Sequence, residues 1–317
     1  MRVNPFLTGI HHVTAVTANA RDNLYFYTQI LGMRLVKKTV NQDDVSAYHL
    51  FYADAVGSPG SDLTFFDWAH TPRQRHGNHS ISLTGLRVPN REALVWWKQR
   101  LTSNNVTHAD ISERFGRSVL DFTDPEGQPL SLVADPLLVG YKPWDRSSVP
   151  TDKQILALGP VMITIPELAP TEKVLRDVLG LSRLGTYSEP GIPEVVVFGF
   201  HGSGAGAELH VRVQPDLPFY SPGAGGVHHV AFRVTDDQYD AWADRLNQYR
   251  IPNSGKVNRF YFQSLYFREP NQILFELATE GPGFATDEDT EHLGESLALP
   301  PFLEPRRAAI EAGLKPL

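Results

Sequence analysis

The chain has 317 residues, enough for two domains of ordinary size, and 41% of them are hydrophobic, enough for a real core rather than a disordered chain. Its 29 Lys and Arg stand against 36 Asp and Glu, and the net charge of −7 gives no reason to expect nucleic acid or an anionic membrane as a partner. There is no cysteine, which excludes disulfides, thiolate metal sites and a cysteine nucleophile.

No apolar run approaches the roughly 18 residues of a membrane helix, and "MRVNPFLTGI" lacks the apolar stretch of a signal peptide, so the expected location is the cytoplasm. In chain order, "GIHHVTAV" (9–16) reads as a strand and "NLYFYTQILGM" (23–33) as a helix ended by Gly32. "GNHSISL", with His79, opens a second strand, followed by the amphipathic helix "REALVWWKQRL" (91–101), which puts Leu94, Trp97 and Leu101 on one face. "RFGRSVLDFTDPEGQPLSLVAD" (114–135) closes that half as a strand, a Pro-containing turn and an apolar strand.

The second half repeats the first. "GPVMITIP" (159–166) precedes a helix "EKVLRDVLGL" (172–181) that Gly180 ends. "GVHHVAFRV" (226–234) precedes "DQYDAWADRL" (237–246), with Tyr239, Trp242 and Leu246 on one face, and then "RFYFQSLYFREPNQILFELAT" (259–279). Aligning Gly9 with Gly159 sets His12 against Met162, and His79 against His229. The fold class expected is α+β: four βαβββ modules paired into two domains, 1–140 and 157–280. A linker, 141–156, joins them, and a tail, 281–317, follows. Each domain is expected to be a curled mixed sheet forming a cup with helices outside.

Paired βαβββ modules with His opening the first strand and Glu in the last resemble the vicinal oxygen chelate superfamily of glyoxalases, extradiol ring-cleaving dioxygenases and antibiotic-binding resistance proteins. Neighbouring strand residues point to opposite faces, so alternation alone does not choose between the members of each His-His pair. The superfamily pattern takes the residue just before the apolar run, and so implies His12 and His229 as metal ligands. Glu276, in the middle of "NQILFEL", is costly to bury unless a cation meets it, either an Arg across the sheet or a metal. By turn-to-strand spacing Phe65 stands at the Glu place in the first module, and Leu132 or Val133 in the second.

Two imidazoles and one carboxylate with open positions opposite suit non-haem Fe(II) acting on O2; Mn(II) or Zn(II) is compatible with the same ligands. A second metal site from His79 and His210 is a minor reading, and His49, His70, His76, His108, His201 and His292 receive no role.

Longer stretches narrow the resemblance. "LVKKTVNQDD" (35–44), "YHLFYADAVGSPGSDLTFF" (48–66), "NRFYFQSLYFREP" (258–270) and "GFATDEDTEHLGESLALPPFLEPRR" (283–307) are similar to the hydroquinone-type ring-cleaving dioxygenases. That resemblance implies a small aromatic substrate and O2, iron on His12, His229 and Glu276, and a pocket of His11, Thr14, His228, Arg259 and Tyr266. Arg259 or a histidine would stabilise a phenolate and Tyr266 would pass a proton. The plainer readings are an Arg belonging to its hairpin, as Arg114 does in the second module, and Thr14 as an ordinary strand residue.

The alternatives within the same fold are a metal-dependent lyase or isomerase of glyoxalase type and a metal-free binding protein. The acidic run "DEDTEHLGESLALPP" is expected to be solvated surface, or else a flap over the cup, and nothing marks the interface of a homo-oligomer.

Overall fold

Alternating apolar residues, closed off by Gly and Pro turns, give each quarter of the chain one strand, one helix and three more strands. In the computed structural model, which describes residues 5–201 and 204–317, the first module is β1 (Ile10–Thr17), α1 (Ala20–Tyr25), β2 (Arg34–Val40), β3 (Tyr48–Ala53) and β4 (Asp62–Asp67). The opening residues 1–4, part of the stretch read for a leader, lie outside the described residues. The second module is β5 (Ser80–Val88), α2 (Arg91–Ser103), β6 (Ser112–Arg114), β7 (Arg117–Thr123) and β8 (Pro129–Ala134). The third is β9 (Ala157–Ile165), α3 (Leu168–Lys173), β10 (Ser182–Glu189), β11 (Ile192–Gly199) and β12 (Glu208–Val213). The fourth is β13 (Val227–Val234), α4 (Tyr239–Gln248), β14 (Val257–Asn258), β15 (Gln263–Arg268) and β16 (Leu274–Thr279).

Trp97 and Trp242 are fully buried in the core, as the helix periodicity requires. Gly32 and Gly180 sit at φ +69° and +74° just past the helical turns that follow α1 and α3, the left-handed conformation of a helix stop. No helix among the described residues is long and apolar enough to cross a membrane.

The modules do not pair in chain order. One eight-stranded sheet runs β14-β15-β16-β13-β1-β4-β3-β2 and the other β10-β11-β12-β9-β5-β8-β7-β6. The first module therefore shares a cup with the fourth, and the second with the third. This corrects the expectation that 1–140 and 157–280 each form their own cup. Four similar modules can pair either way, so the repeat pattern carries no information on the choice. In the structure the two crossovers, near residues 72–78 and 218–225, run against each other. Arg75 and Ser221 exchange backbone hydrogen bonds of 3.0 and 3.1 Å, and Gln74 N–H donates to Ala224 O at 3.0 Å. A Cβ on Gly77 would stand 2.2 Å from Pro218 O, and one on Gly223 2.1 Å from Pro72 O, so this contact demands glycine on both strands.

The acidic tail is exposed over most of its acidic residues but is tied down where it starts. Lys37 on β2 is fully buried, and its Nζ donates to Phe284 O at 3.0 Å, to Asp287 Oδ1 at 2.7 Å and to Glu288. Arg34 donates to Glu291 O and Lys38 to Glu295 O, and the last helix α5 (Arg307–Gly313) seats Ile310 against Val40, Leu299 and Leu303. The tail is thus tied to the edge strand β2 of the first cup through a buried cation, while Asp289, Glu291 and Glu295 stay exposed, as the solvated reading expects. Lys37→Met should cost about 3 kcal/mol, because it leaves two carboxylates against an apolar strand without their partner. Limited proteolysis would then cut between residues 281 and 300 well before the wild type is cut there; equal rates would show that the tail is held by its apolar helix alone.

Candidate metal centre

β1 and β13 run antiparallel in the middle of the first cup, with Val13 opposite Val230. The register slips twice, between Ile10 and His12 on β1 and between His229 and Val227 on β13. The extra residues at these two bulges are His11 and His228. A bulge re-aims its side chain, which is why simple alternation did not apply to the His-His pairs. His11 Nδ1 lies 2.9 Å from His12 Nδ1, and His228 Nδ1 lies 2.8 Å from His229 Nδ1. Each ligand candidate thereby has its Nδ1 engaged by its neighbour and its Nε2 turned inward, the arrangement that orients a metal-binding imidazole.

The structure brings His12, His229 and Glu276 together. His12 Nε2 and His229 Nε2 are 3.2 Å apart, and Glu276 Oε2 is 3.1 Å from the first and 2.9 Å from the second. Two ligands at right angles on an ion about 2.1 Å from each would stand roughly 3 Å apart. Among the described residues this is the one group of three or more His, Cys, Asp or Glu able to hold a metal. Glu276 is fully buried, and neither of its oxygens has a hydrogen bond of acceptable geometry. Burial alone would raise its pKa, but His12 and His229 outweigh that and hold the carboxyl well below its usual range. Burial holds His229 below the ordinary imidazole value and takes His11 and His228 down to about 3. A buried carboxylate facing two imidazole nitrogens is a donor set suited to a divalent cation.

The strand register corrects the fourth corner. Ala231, two residues beyond His229, pairs with Glu276; Thr14, two beyond His12, pairs with Thr64. Thr64, not Phe65, therefore holds the Glu place in the first module, and its hydroxyl is 2.8 Å from that of Thr14. The carboxylate count stays at one, but the corner is polar. A turn-to-strand spacing is uncertain by a residue, and one residue in a strand changes the face.

Among the described residues the second cup carries no such set. Its registers, Gly85 with Ser131 and Met162 with His210, put Leu83 and Pro160 where the first cup has His229 and His12, and Ser131 where it has Glu276. The alignments of His12 with Met162 and of His79 with His229 are thereby corrected, as is the Leu132 or Val133 position. His79 precedes its strand at φ +62° and stacks on Phe219 with ring centroids 4.2 Å apart. His210 is taken up by Tyr187 Oη at 3.0 Å and Glu208 at 3.1 Å, and Glu208 is held from the other side by both Arg117 Nη atoms.

A narrow cleft opens on the candidate ligand group, with His49, Phe51, Phe66, Arg259, Phe262 and Tyr266 in its walls. Tyr266 on β15 pairs directly with Glu276, so its phenol faces the ligands across one strand spacing. Burial, reinforced by Glu276, pushes that phenol up and keeps its proton on Oη. Arg259 Nε donates to Tyr266 Oη at 3.3 Å, and its two Nη atoms grip Asp43 at 3.1 and 2.9 Å. Phe262 packs on the rings of His11 and His12, with centroids 5.3 and 5.2 Å away. Trp68 and Phe66 stand with His228 at the mouth.

His49, given no role from the sequence, is the residue that reasoning missed. It lies on β3 with its Nε2 3.0 Å from Thr64 Oγ1, between the rings of Phe51 at 4.0 Å and Phe66 at 4.4 Å, and burial holds it well below its ordinary pKa. The usable signal was its alternation with Phe51 in "YHLFYA", which places both on one face.

Comparison with known proteins agrees with the architecture. Residues 9–132 and 157–277 match the model of the Glyoxalase/Bleomycin resistance protein/Dioxygenase superfamily. The chain is 48% identical over 319 residues to "Putative ring-cleaving dioxygenase MhqA" of Bacillus subtilis (strain 168), covering all of both chains. It is 29% identical to the chlorohydroquinone/hydroquinone 1,2-dioxygenase of Sphingobium indicum, over 96% of this chain and 95% of that one. A crystal structure described as a "putative dioxygenase from Bacillus subtilis" superposes with a TM-score of 0.90 at 34% identity, over 99% of this chain and 98% of the other. With both halves matched and a full-length relative at this identity, the chain belongs to the Glyoxalase/Bleomycin resistance protein/Dioxygenase superfamily.

Proposed function

We propose that the protein is a ring-cleaving dioxygenase that opens hydroquinone-like aromatic rings with O2 at a non-haem Fe(II) held by His12, His229 and Glu276. The observation that carries this reading is the buried Glu276 carboxylate, which has no hydrogen bond yet faces two inward-turned imidazole nitrogens. Two imidazole nitrogens and a buried carboxylate converging on one point are the donor set of a divalent cation. The ring-cleaving names of the full-length relatives support the reaction class, and the hydroquinone enzyme supports the substrate class.

Iron, when bound, supplies the electronic link between an electron-rich ring and O2. The chain's own groups do the rest. His11 and His228 hold the two ligand rings in orientation through their Nδ1 atoms. Phe51, Phe66 and Phe262 line the cleft with apolar surface and exclude water around the ring. Arg259 stabilises the phenolate that forms as substrate binds, and Asp43 fixes the guanidinium for that task. Tyr266 keeps a proton at Oη beside the ligands and can deliver it to a developing oxyanion. Thr14 is tied to Thr64 on the neighbouring strand and shapes the corner that no carboxylate occupies.

The test is anaerobic loading of the protein with Fe(II), Mn(II) or Zn(II), followed by oxygen uptake with methylhydroquinone. Uptake in proportion to product with iron or manganese, and none with redox-inert zinc, is expected. Uptake with no metal, or equal turnover with zinc, overturns the reading.

A further inference from the structure

We infer that His49 is the group that binds the far hydroxyl of a para-dihydroxylated ring, and so selects para-diols over ortho-diols. The inference rests on the ring-cleaving reading above and assigns a residue that the reading does not use. A para-diol with one oxygen at the ion carries its second oxygen across the ring. That oxygen needs a protein partner in the apolar cleft, because a buried hydroxyl left unpaired costs affinity. An ortho-diol keeps both oxygens on the side of the ion and has no such need.

The two modules of the first cup present different groups to that demand. On the wall of the fourth module, Tyr266 stands in register with Glu276, next to the ligands. The matching place on the wall of the first module, in register with Thr64, is Phe51, which offers no hydrogen bond. His49 lies two residues further along the same strand and on the same face, roughly 6.8 Å from Phe51 at the usual rise of a strand. His49 shares the cleft with His12 and His229.

Its ring is held rather than mobile. Phe51 and Phe66 flank it, and Nε2 is 3.0 Å from Thr64 Oγ1, which is in turn 2.8 Å from Thr14 Oγ1. The other nitrogen, Nδ1, has no hydrogen-bond partner among the described residues. One nitrogen anchored and one free is the arrangement of a preset hydrogen-bonding group, with the threonine pair fixing its orientation.

The experiment compares wild type, His49→Phe and His49→Gln, all loaded with Fe(II). Anaerobic calorimetry gives the affinities for methylhydroquinone and for 4-methylcatechol, and oxygen uptake gives kcat and KM. His49→Phe is expected to weaken methylhydroquinone binding about tenfold to a hundredfold, the worth of one buried hydrogen bond, through KM rather than kcat. Affinity for 4-methylcatechol should change less than threefold, and His49→Gln should recover part of the loss. Unchanged methylhydroquinone affinity, or equal losses for both diols, overturns the assignment and leaves His49 a packing residue. Wild type that binds methylhydroquinone but takes up no oxygen would defeat the proposed reaction, while the ratio of the two affinities would still decide the role of His49.

Discussion

Glu276→Gln should abolish metal-dependent stabilisation and lower kcat/KM with iron by more than about a hundredfold, a loss larger than removing a residue that only supports a ligand. The wild-type protein gains stability from any ion that binds only the folded state, about 2.7 kcal/mol when the free ion is at a hundred times its Kd. The variant keeps the shape of the side chain but removes the charge that faces both imidazole nitrogens. In the metal-free state the variant should also be the less stable of the two, because His12 and His229 favour the ionised carboxylate over a neutral group in the fold. Thermal melts with and without Fe(II), together with metal analysis, read both effects. A variant that retains the metal-induced rise in Tm would remove Glu276 from the ligand set.

The metal-free protein should also lose stability steeply as pH falls below about 6.5. Burial takes His11 and His228 down to about 3, so both stay neutral in the folded state while the unfolded chain takes up protons from about 6.5 downward. The unfolded state then binds more protons, and acid favours it. Each histidine contributes about 1.4 kcal/mol per pH unit in that window, and the pair roughly 2.7 kcal/mol per unit. Glu276 acts in the same direction at lower pH. Its depressed pKa gives stability that is present above the ordinary carboxylate range and is lost as pH falls through the folded value. Urea titrations of chelated protein between pH 7.5 and 4.5 measure the slope, and His228→Asn should flatten it by about half. A stability that is flat between pH 6.5 and 5 would contradict the burial of these rings.

Much of this protein is legible in its sequence because repetition and periodicity are local properties. Trp97 and Trp242 mark matching buried helices, Gly32 and Gly180 mark matching helix stops, and the two His-His pairs mark matching first strands. Each depends on residues a few positions apart, and the chain carries that information directly. The three residues that meet around the proposed ion follow from the same repeat, once likeness to a known family chose one member of each pair.

What the sequence leaves open depends on register and partner. Whether Thr64 or Phe65 faces the ligands is a matter of one residue along a strand, and only the ladder between β1 and β4 decides it. His11 and His228 meet the rings of His12 and His229 because the pairing of β1 with β13 is bulged at both places, a feature of two strands together. His49 becomes part of the site because a strand from the first module and one from the fourth enclose the same cleft, and Lys37 finds Asp287 and Glu288 only once the tail has folded back. By itself, then, the sequence determined that this chain is four βαβββ modules with a carboxylate and two histidine pairs in matching strands. That the first module joins the fourth was decided only in the tertiary structure, since modules of one pattern are interchangeable until their crossovers and ladders meet.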